Sequence, residues 1–360
     1  MKISAIDSRV LCIPTPHPMS LGFPGHQVVT ATIRTDQGLV GLGYSLLFGG
    51  AGGEAVQAYL ETRLKPLLLG EHPLFVERLW ERMYRADRGI RRVGVAGYAV
   101  AALDIALWDL VGKAAGLPLY QLWGAVTDRV PAYGSGGWPQ YTTSDLIAEG
   151  QHYAALGCRY YKMKIHHSDP RANRARVLAV RQALGDGVQL MVDANQRFDV
   201  LGAIRQAEAL EDLGLLWFEE PVLADDTAAC AEVAHAIRIP IATGENNQTR
   251  FEFRELIERR AARYLMPDVC RANGFSETLR IGRLAAAYQL AISPHVVHEL
   301  SLHVVGALSN GSLVEFIDWA PTDLFVGMPI CEDGHFRVPN RPGHGIELAP
   351  DAVHKYAQPG

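Results

Sequence analysis

The sequence predicts an α/β protein in which a barrel of βα repeats follows a smaller α+β unit, and three observations carry that reading. From about residue 130 onward, short apolar stretches alternate with amphipathic helical ones, the signature of a parallel sheet. Ionisable residues fall where those apolar stretches end. At 360 residues the chain exceeds the usual size of one compact core, so a large domain with a smaller companion is expected.

The elements follow in order. Alternating apolar residues from Lys2 to Ile13, Gln27 to Arg34 and Leu39 to Leu46 read as strands, the last two joined by the turn Thr35-Asp36-Gln37-Gly38. Helical periodicity runs over Gly53 to Leu68, Leu74 to Arg85 and Val93 to Ala115, the last closed by Gly116 ahead of Pro118. Eight strand candidates come next: Val130 to Tyr133, Tyr160 to Ile165, Gln189 to Asp193, Leu215 to Glu219, Pro240 to Gly244, Tyr264 to Asp268, Leu290 to His295 and Ser312 to Ile317. Eight repeats suggest closure into a barrel rather than an open sheet. Residues 320–360 are rich in Pro and Gly, lack a βα repeat and are expected to pack back on the first unit. The expected divisions are therefore 1–125, 126–319 and 320–360.

Composition narrows the partners. With 34 basic against 39 acidic side chains the formal charge is −5, which gives no basic surplus for nucleic acid or anionic lipid. A small molecule is the expected partner. The five cysteines, Cys12, Cys158, Cys230, Cys270 and Cys331, form no CxxC pair and suggest neither a disulfide framework nor a zinc site. The N-terminus alternates like a strand and lacks a leader's apolar core, which leads us to expect a cytoplasmic protein. The longest low-charge stretch, Val93 to Leu107, carries Asp104 and reads as a buried helix rather than a membrane span. No GxGxxG or GxxxxGK[ST] occurs, so dinucleotide and P-loop readings lack their phosphate cradle.

The strand ends carry Lys162 and Lys164, Asp193 and Asn195, Glu219 and Glu220, Glu245, Asp268, His295, and Glu315. In a parallel barrel these ends converge on one mouth. Helix capping explains any one of them, but seven successive ionisable ends point to a site. Asp193, Glu219 and Glu245 are spaced by 26 and 26 residues on consecutive strands and would repel one another without a hard cation. Oxygen ligands favour Mg²⁺, with Mn²⁺ a tolerable substitute, over zinc. Pleating lets only one of Glu219 and Glu220 face the ion, and periodicity does not choose between them. Lys162 and Lys164 share one strand face; the first suits a salt bridge, and the second, disfavoured as an ammonium beside a cation, suits a base. Asp268 would orient His295 as a second acid/base. Glu315, if protonated, would donate a hydrogen bond to a developing oxyanion. A cation flanked by two bases describes removal of the proton α to a carboxylate.

The motifs KMK (162–164), VDAN (192–195), WFEEP (217–221), TGEN (243–246), MPD (266–268), SPH (293–295) and VEF (314–316) resemble the enolase superfamily, most closely its mandelate racemase subgroup, over nearly the whole chain. The resemblance implies a modified TIM (β/α)7β barrel under an α+β N-terminal capping domain. It implies Asp193, Glu219 and Glu245 as Mg²⁺ ligands, Lys164 and the His295–Asp268 pair as acid/base groups, and Lys162 and Glu315 as stabilisers. Substrate contacts would come from Lys162, Asn195 and Glu315, with a cap loop near Thr15 to His26 setting specificity. Family members are commonly homo-oligomers. Muconate-lactonising relatives carry lysine where this chain has Asp268, which disfavours cycloisomerisation.

RYLMP (263–267), SPHVVHEL (293–300) and RVPNRPGHGIEL (337–348) look most like galactarate or talarate dehydratases. Dehydration of an aldarate or aldonate to a 2-keto-3-deoxy acid is therefore expected. The alternative is a racemase or epimerase of a 2-hydroxy acid, and further behind stands a metal-binding barrel without catalysis. Ile165-His166-His167 and Gly22-Phe23-Pro24 depart from the family pattern. His166, His167, His298 and Glu299 fall near the mouth, where loop roles compete with substrate contact; for Tyr133, Ser135 and Trp138, packing is the expected role.

Overall fold

The structure is a computed structural model and describes residues 1–15, 25–90 and 92–357. Strands β1 (Ile3–Ile13), β2 (His26–Thr35) and β3 (Val40–Leu47) form an antiparallel sheet in that order. Helices α1 (Gly53–Tyr59) and α2 (Lys65–Leu68) stand where one continuous helix was expected, separated by a π-helical turn over Leu60–Leu64. Pro66 sits in the first turn of α2 and has no N–H to continue the ladder through that junction. Helix α3 (Val76–Tyr84) follows, and α4 (Val95–Ala115) ends on Gly116 at φ 68°.

Helix α4 lies directly on β3. A Cβ at Gly43 would meet the Ala102 carbonyl oxygen at 2.0 Å, and one at Gly41 the Ala106 oxygen at 2.3 Å. Only glycine permits that approach. Helix α4 runs beyond the low-charge stretch noted from sequence and is long and apolar enough to cross a membrane by length and composition, but 78% of its most apolar stretch is buried in the protein, as the buried-helix reading expects.

After α5 (Leu119–Leu122), strands and helices alternate: β4 (Arg129–Gly136), α6 (Thr143–Ala155), β5 (Tyr160–Lys164), α7 (Pro170–Leu184), β6 (Gln189–Asp193), α8 (Val200–Leu210), β7 (Phe218–Glu219), α9 (Thr227–Ala236), β8 (Ile241–Thr243), α10 (Arg250–Glu258), β9 (Tyr264–Leu265), α11 (Phe275–Ala287), β10 (Ala291–Ile292), α12 (His298–Ala307) and β11 (Val314–Phe316). Neighbours pair in parallel from β4 to β10, β11 returns to β4, and a parallel bridge from Ile292 to Gly311 closes the ring. This is the expected (β/α)7β barrel.

Several barrel strands, from β7 onward, are shorter than expected. β9 and β10 stop before Asp268 and His295, because Pro267 and Pro294 have no N–H for the ladder. Single bonds from Ser293 N to Leu265 O and His295 N to Pro267 O carry the register onward.

The last segment packs on the first unit, where it was expected, and on the barrel as well. It contains β12 (Phe325–Val326), β13 (Cys331–Glu332), β14 (His335–Arg337), β15 (Glu347–Leu348) and α13 (Ala352–Tyr356). β14 pairs antiparallel with β4 of the barrel, while Ala357 bridges to Leu11 and His344 Nε2 lies 2.7 Å from the Leu42 carbonyl oxygen.

The cap is seated on the barrel through buried polar contacts. Ser276 donates to Asp104 from Oγ (2.6 Å) and from its backbone N–H (2.9 Å). Trp80 Nε1 donates to Asn273 O (2.9 Å), and Tyr44 OH donates to Glu299.

Candidate active site

Strand pleating builds the site in layers. Tyr161, Met163, Val192, Phe218 and Val314 pack outward in the main core with the helices, so their neighbours turn into the barrel. Tyr133, Met191, Trp217, Ala242, Met266 and Leu313 form an apolar floor there. Two residues further along each strand come Ser135, Asp193, Glu219 and Glu315. The helices do not need these groups as caps: α6 to α10 are capped by Thr142, Asp169, Asp199, Asp226 and Thr249.

Asp193, Glu219 and Glu245 are buried and present carboxylate oxygens all within 4.8 Å of one another, the one such group found among the described residues. Trp217 Nε1 holds Glu219 from the floor at 3.0 Å. Glu220 takes φ 36° and turns away, accepting from Asn246 Nδ2 (2.9 Å) and Gln196 Nε2 (3.2 Å). That local twist separates two adjacent glutamates that periodicity could not. Burial, reinforced by Asp193 and Glu315, pushes Glu219 well above the usual carboxylate range despite Lys162. The set is therefore short of positive charge. Buried, all-oxygen and anionic, it fits Mg²⁺.

Lys162 is fully buried, 2.7 Å from Glu219 and 2.8 Å from Glu315, with its ammonium 5.3 Å from the Tyr133 ring centre. Lys164 pairs with Asp193 and lies 5.6 Å from the Trp138 ring centre. The expectation for Lys164 is conditional on a cation, and that for Glu315 is revised by its contacts. Burial and Lys162 pull Lys164 down, but Asp193 together with Glu219 and Glu245 outweighs them, so without a cation its pKa is raised. Burial would raise Glu315, yet Lys162, His295 and Lys164 hold it far below the usual range. Glu315 accepts from Ser135 Oγ (2.6 Å), Val296 N (2.8 Å) and Lys162, contacts that suit a carboxylate acceptor rather than the hydrogen-bond donor expected.

On the opposite flank His295 Nδ1 lies 2.8 Å from Asp268 Oδ2, and its Nε2 lies 3.4 Å from Glu245. Backbone N–H groups of Cys270 and Arg271 fix Asp268. Arg271, absent from the sequence reading, bridges the two groups: Nη1 is 3.2 Å from Glu245 and Nε 3.3 Å from Asp268. Its i,i+3 spacing from Asp268 was the available signal.

Other expected site residues lie further out. Asn195 is exposed, and both its backbone N–H (2.7 Å) and its amide (3.3 Å) are directed at Asp193. The backbone N–H groups of His166 and His167 are bound by Asn173. His298 stacks on Phe336 outside the barrel, and Glu299 holds Tyr44 of the cap. Most of the cap loop near Thr15 to His26, including Gly22-Phe23-Pro24, falls outside the described residues.

Residues 5–124 match the model of the mandelate racemase / muconate lactonizing enzyme N-terminal domain, and residues 145–352 that of the enolase C-terminal domain-like family. The chain belongs to the mandelate racemase/muconate lactonizing enzyme family of the enolase superfamily. It is 34% identical over 351 residues to an arabinonate dehydratase of Saccharolobus solfataricus, covering 94% of this chain and 91% of that one. It is 33% identical over 322 residues to a 3,6-anhydro-alpha-L-galactonate cycloisomerase of Streptomyces coelicolor, covering 89% of each.

Two solved structures share the family fold across 99% of this chain. An L-talarate dehydratase from a Polaromonas species, complexed with Mg and L-glucarate, superposes with TM-score 0.93 over 98% of its length at 34% identity. A Streptomyces coelicolor racemase with bound magnesium superposes with TM-score 0.94 over 99% of its length at 31% identity. A cycloisomerase stands among these relatives, so the comparisons leave that reaction type open.

Proposed function

We propose that this family member is an acid-sugar dehydratase, removing the proton α to the carboxylate of an aldonate or aldarate and expelling the β-hydroxyl to give a 2-keto-3-deoxy acid. One observation carries the reading: Lys164 and the His295–Asp268 pair enter one mouth from opposite flanks of the carboxylate set, at Asp193 and at Glu245. The dehydratases among its relatives support it.

Asp193, Glu219 and Glu245 would hold Mg²⁺, which supplies a Lewis acid for the charge that builds on the substrate carboxylate. Lys162, kept charged by Glu219 and Glu315, donates toward the same charge. Glu315 serves by holding Lys162. With the charges of Asp193, Glu219 and Glu245 committed to a metal, the main remaining influences on Lys164 are burial and Lys162, and both favour the neutral amine a base requires. His295, oriented through Nδ1 by Asp268, presents Nε2 to remove the α-proton or to protonate the departing hydroxyl.

The racemase reading uses the same two bases without a leaving group, and the similar racemase structure favours it as second choice. Incubating the Mg²⁺-loaded protein with a panel of aldonic and aldaric acids separates them. A semicarbazide-reactive keto acid supports dehydration; deuterium uptake from solvent without keto product supports racemisation. If no acid exchanges its α-proton, both readings fail.

A further inference from the structure

His26 opens β2 and is 2% exposed. Along β2, Val29, Ala31 and Ile33 pack into the cap's own core, whereas Val28 packs with the barrel-side core beside Ile13 and Leu46. Period two puts His26 on the side of Val28, facing the barrel. Its ring stacks on Phe48 at 4.3 Å between centroids, and Phe48 in turn meets the ring of His295 edge-on at 6.4 Å. His26 therefore stands one aromatic ring away from the catalytic imidazole.

The protonation state of His26 follows from its contacts. Gly49 N–H donates to Nδ1 at 2.8 Å, and a backbone N–H can only donate, so Nδ1 carries no proton. Burial lowers the imidazole to about 4, which keeps the ring neutral near pH 7. The single proton is then on Nε2. That atom is buried and has no hydrogen-bond partner among the described residues. A desolvated donor without an acceptor is destabilising, and native folds rarely leave one.

We propose that His26 is a specificity-determining residue whose Nε2–H donates to an oxygen at the far end of the substrate. The ligand class rests on the dehydratase reading: a polyhydroxy acid, held by its carboxylate at the metal and Lys162, extends past Phe48 and offers His26 a distal hydroxyl or carboxylate oxygen. A two- or three-carbon hydroxy acid has no such oxygen. His26 therefore selects for chain length while taking no part in proton transfer.

The test compares binding in a Lys164→Ala background, which blocks turnover, by calorimetry on the Mg²⁺-loaded full chain. The probes are galactarate, arabinonate and lactate. His26→Asn places its amide oxygen where Nδ1 accepts from Gly49 but cannot reach the position of Nε2; His26→Phe keeps the stack on Phe48 and removes both polar atoms. Both variants are expected to weaken the longer acids roughly 10- to 100-fold and lactate less than about twofold. Equal losses for long and short acids, or none, overturn the proposal, because His26 would then be structural or satisfied by water. Failure of the background protein to bind either long acid overturns it too. Binding of those acids by wild type without turnover removes the dehydratase reading and leaves the assignment of His26 standing.

Discussion

Asp104 offers a prediction whose size can be worked out. It lies fully buried in α4 where the cap meets α11, and burial raises its carboxyl from 3.8 to about 7 despite two hydrogen bonds from Ser276. In the unfolded chain the same group ionises near its ordinary value, about 3.9. Below that value both states hold the proton and folding is indifferent to pH. Between about 4 and 7 the unfolded state has lost the proton and the folded state keeps it, so stability falls as pH rises, and it levels off above 7. The two units from pH 5 to pH 7 correspond to about 2.7 kcal/mol. Asp104→Asn mimics the protonated acid and does not titrate. Urea denaturation of wild type and variant at both pH values therefore should show the variant gaining about 2 to 3 kcal/mol on wild type by pH 7. An unchanged difference between the two proteins at pH 5 and pH 7 refutes the argument, since Asp104 would then ionise alike in both states.

Other expectations follow from single contacts. Glu219→Gln should weaken Mg²⁺ binding by about 100-fold or more in calorimetry, whereas Glu220→Gln, whose carboxylate faces Asn246 and Gln196, should stay within about tenfold. Comparable losses in both variants would mean that the ligand set is misassigned. Gly112→Ala puts a methyl 2.4 Å from Gly343 Cα, backbone against backbone, and should cost about 1 to 3 kcal/mol, read as a lower thermal midpoint. An unchanged midpoint would show that the C-terminal segment does not press on α4.

Much of the fold and site could be read from residue order because a barrel converts linear spacing into spatial convergence. The alternation in YYKMKI and LMVDAN puts Lys162, Lys164 and Asp193 on the inner face wherever the strands begin. What spacing could not supply was local backbone geometry and the balance of charges. The left-handed turn at Glu220 chooses between two glutamates. Pro267 and Pro294 end strands that apolar runs appeared to extend. The ionisation of Glu315 and Lys164 depends on which counter-charge lies nearest, and Arg271 and His26 matter through contacts 26 and 23 residues away in sequence.

The central claim is that two opposed bases serve one metal site, and α-proton exchange in D₂O followed by proton NMR tests it most directly. Wild type, Lys164→Ala and His295→Asn would be compared with Mg²⁺ and the best acid of the panel, alongside its epimer at the α-carbon. Each variant should lose turnover by about 10²- to 10⁴-fold while still binding Mg²⁺. Residual exchange should be confined to one epimer, and to the opposite one in the two variants. Wild-type exchange and turnover in His295→Asn, or in Lys164→Ala, would contradict the account.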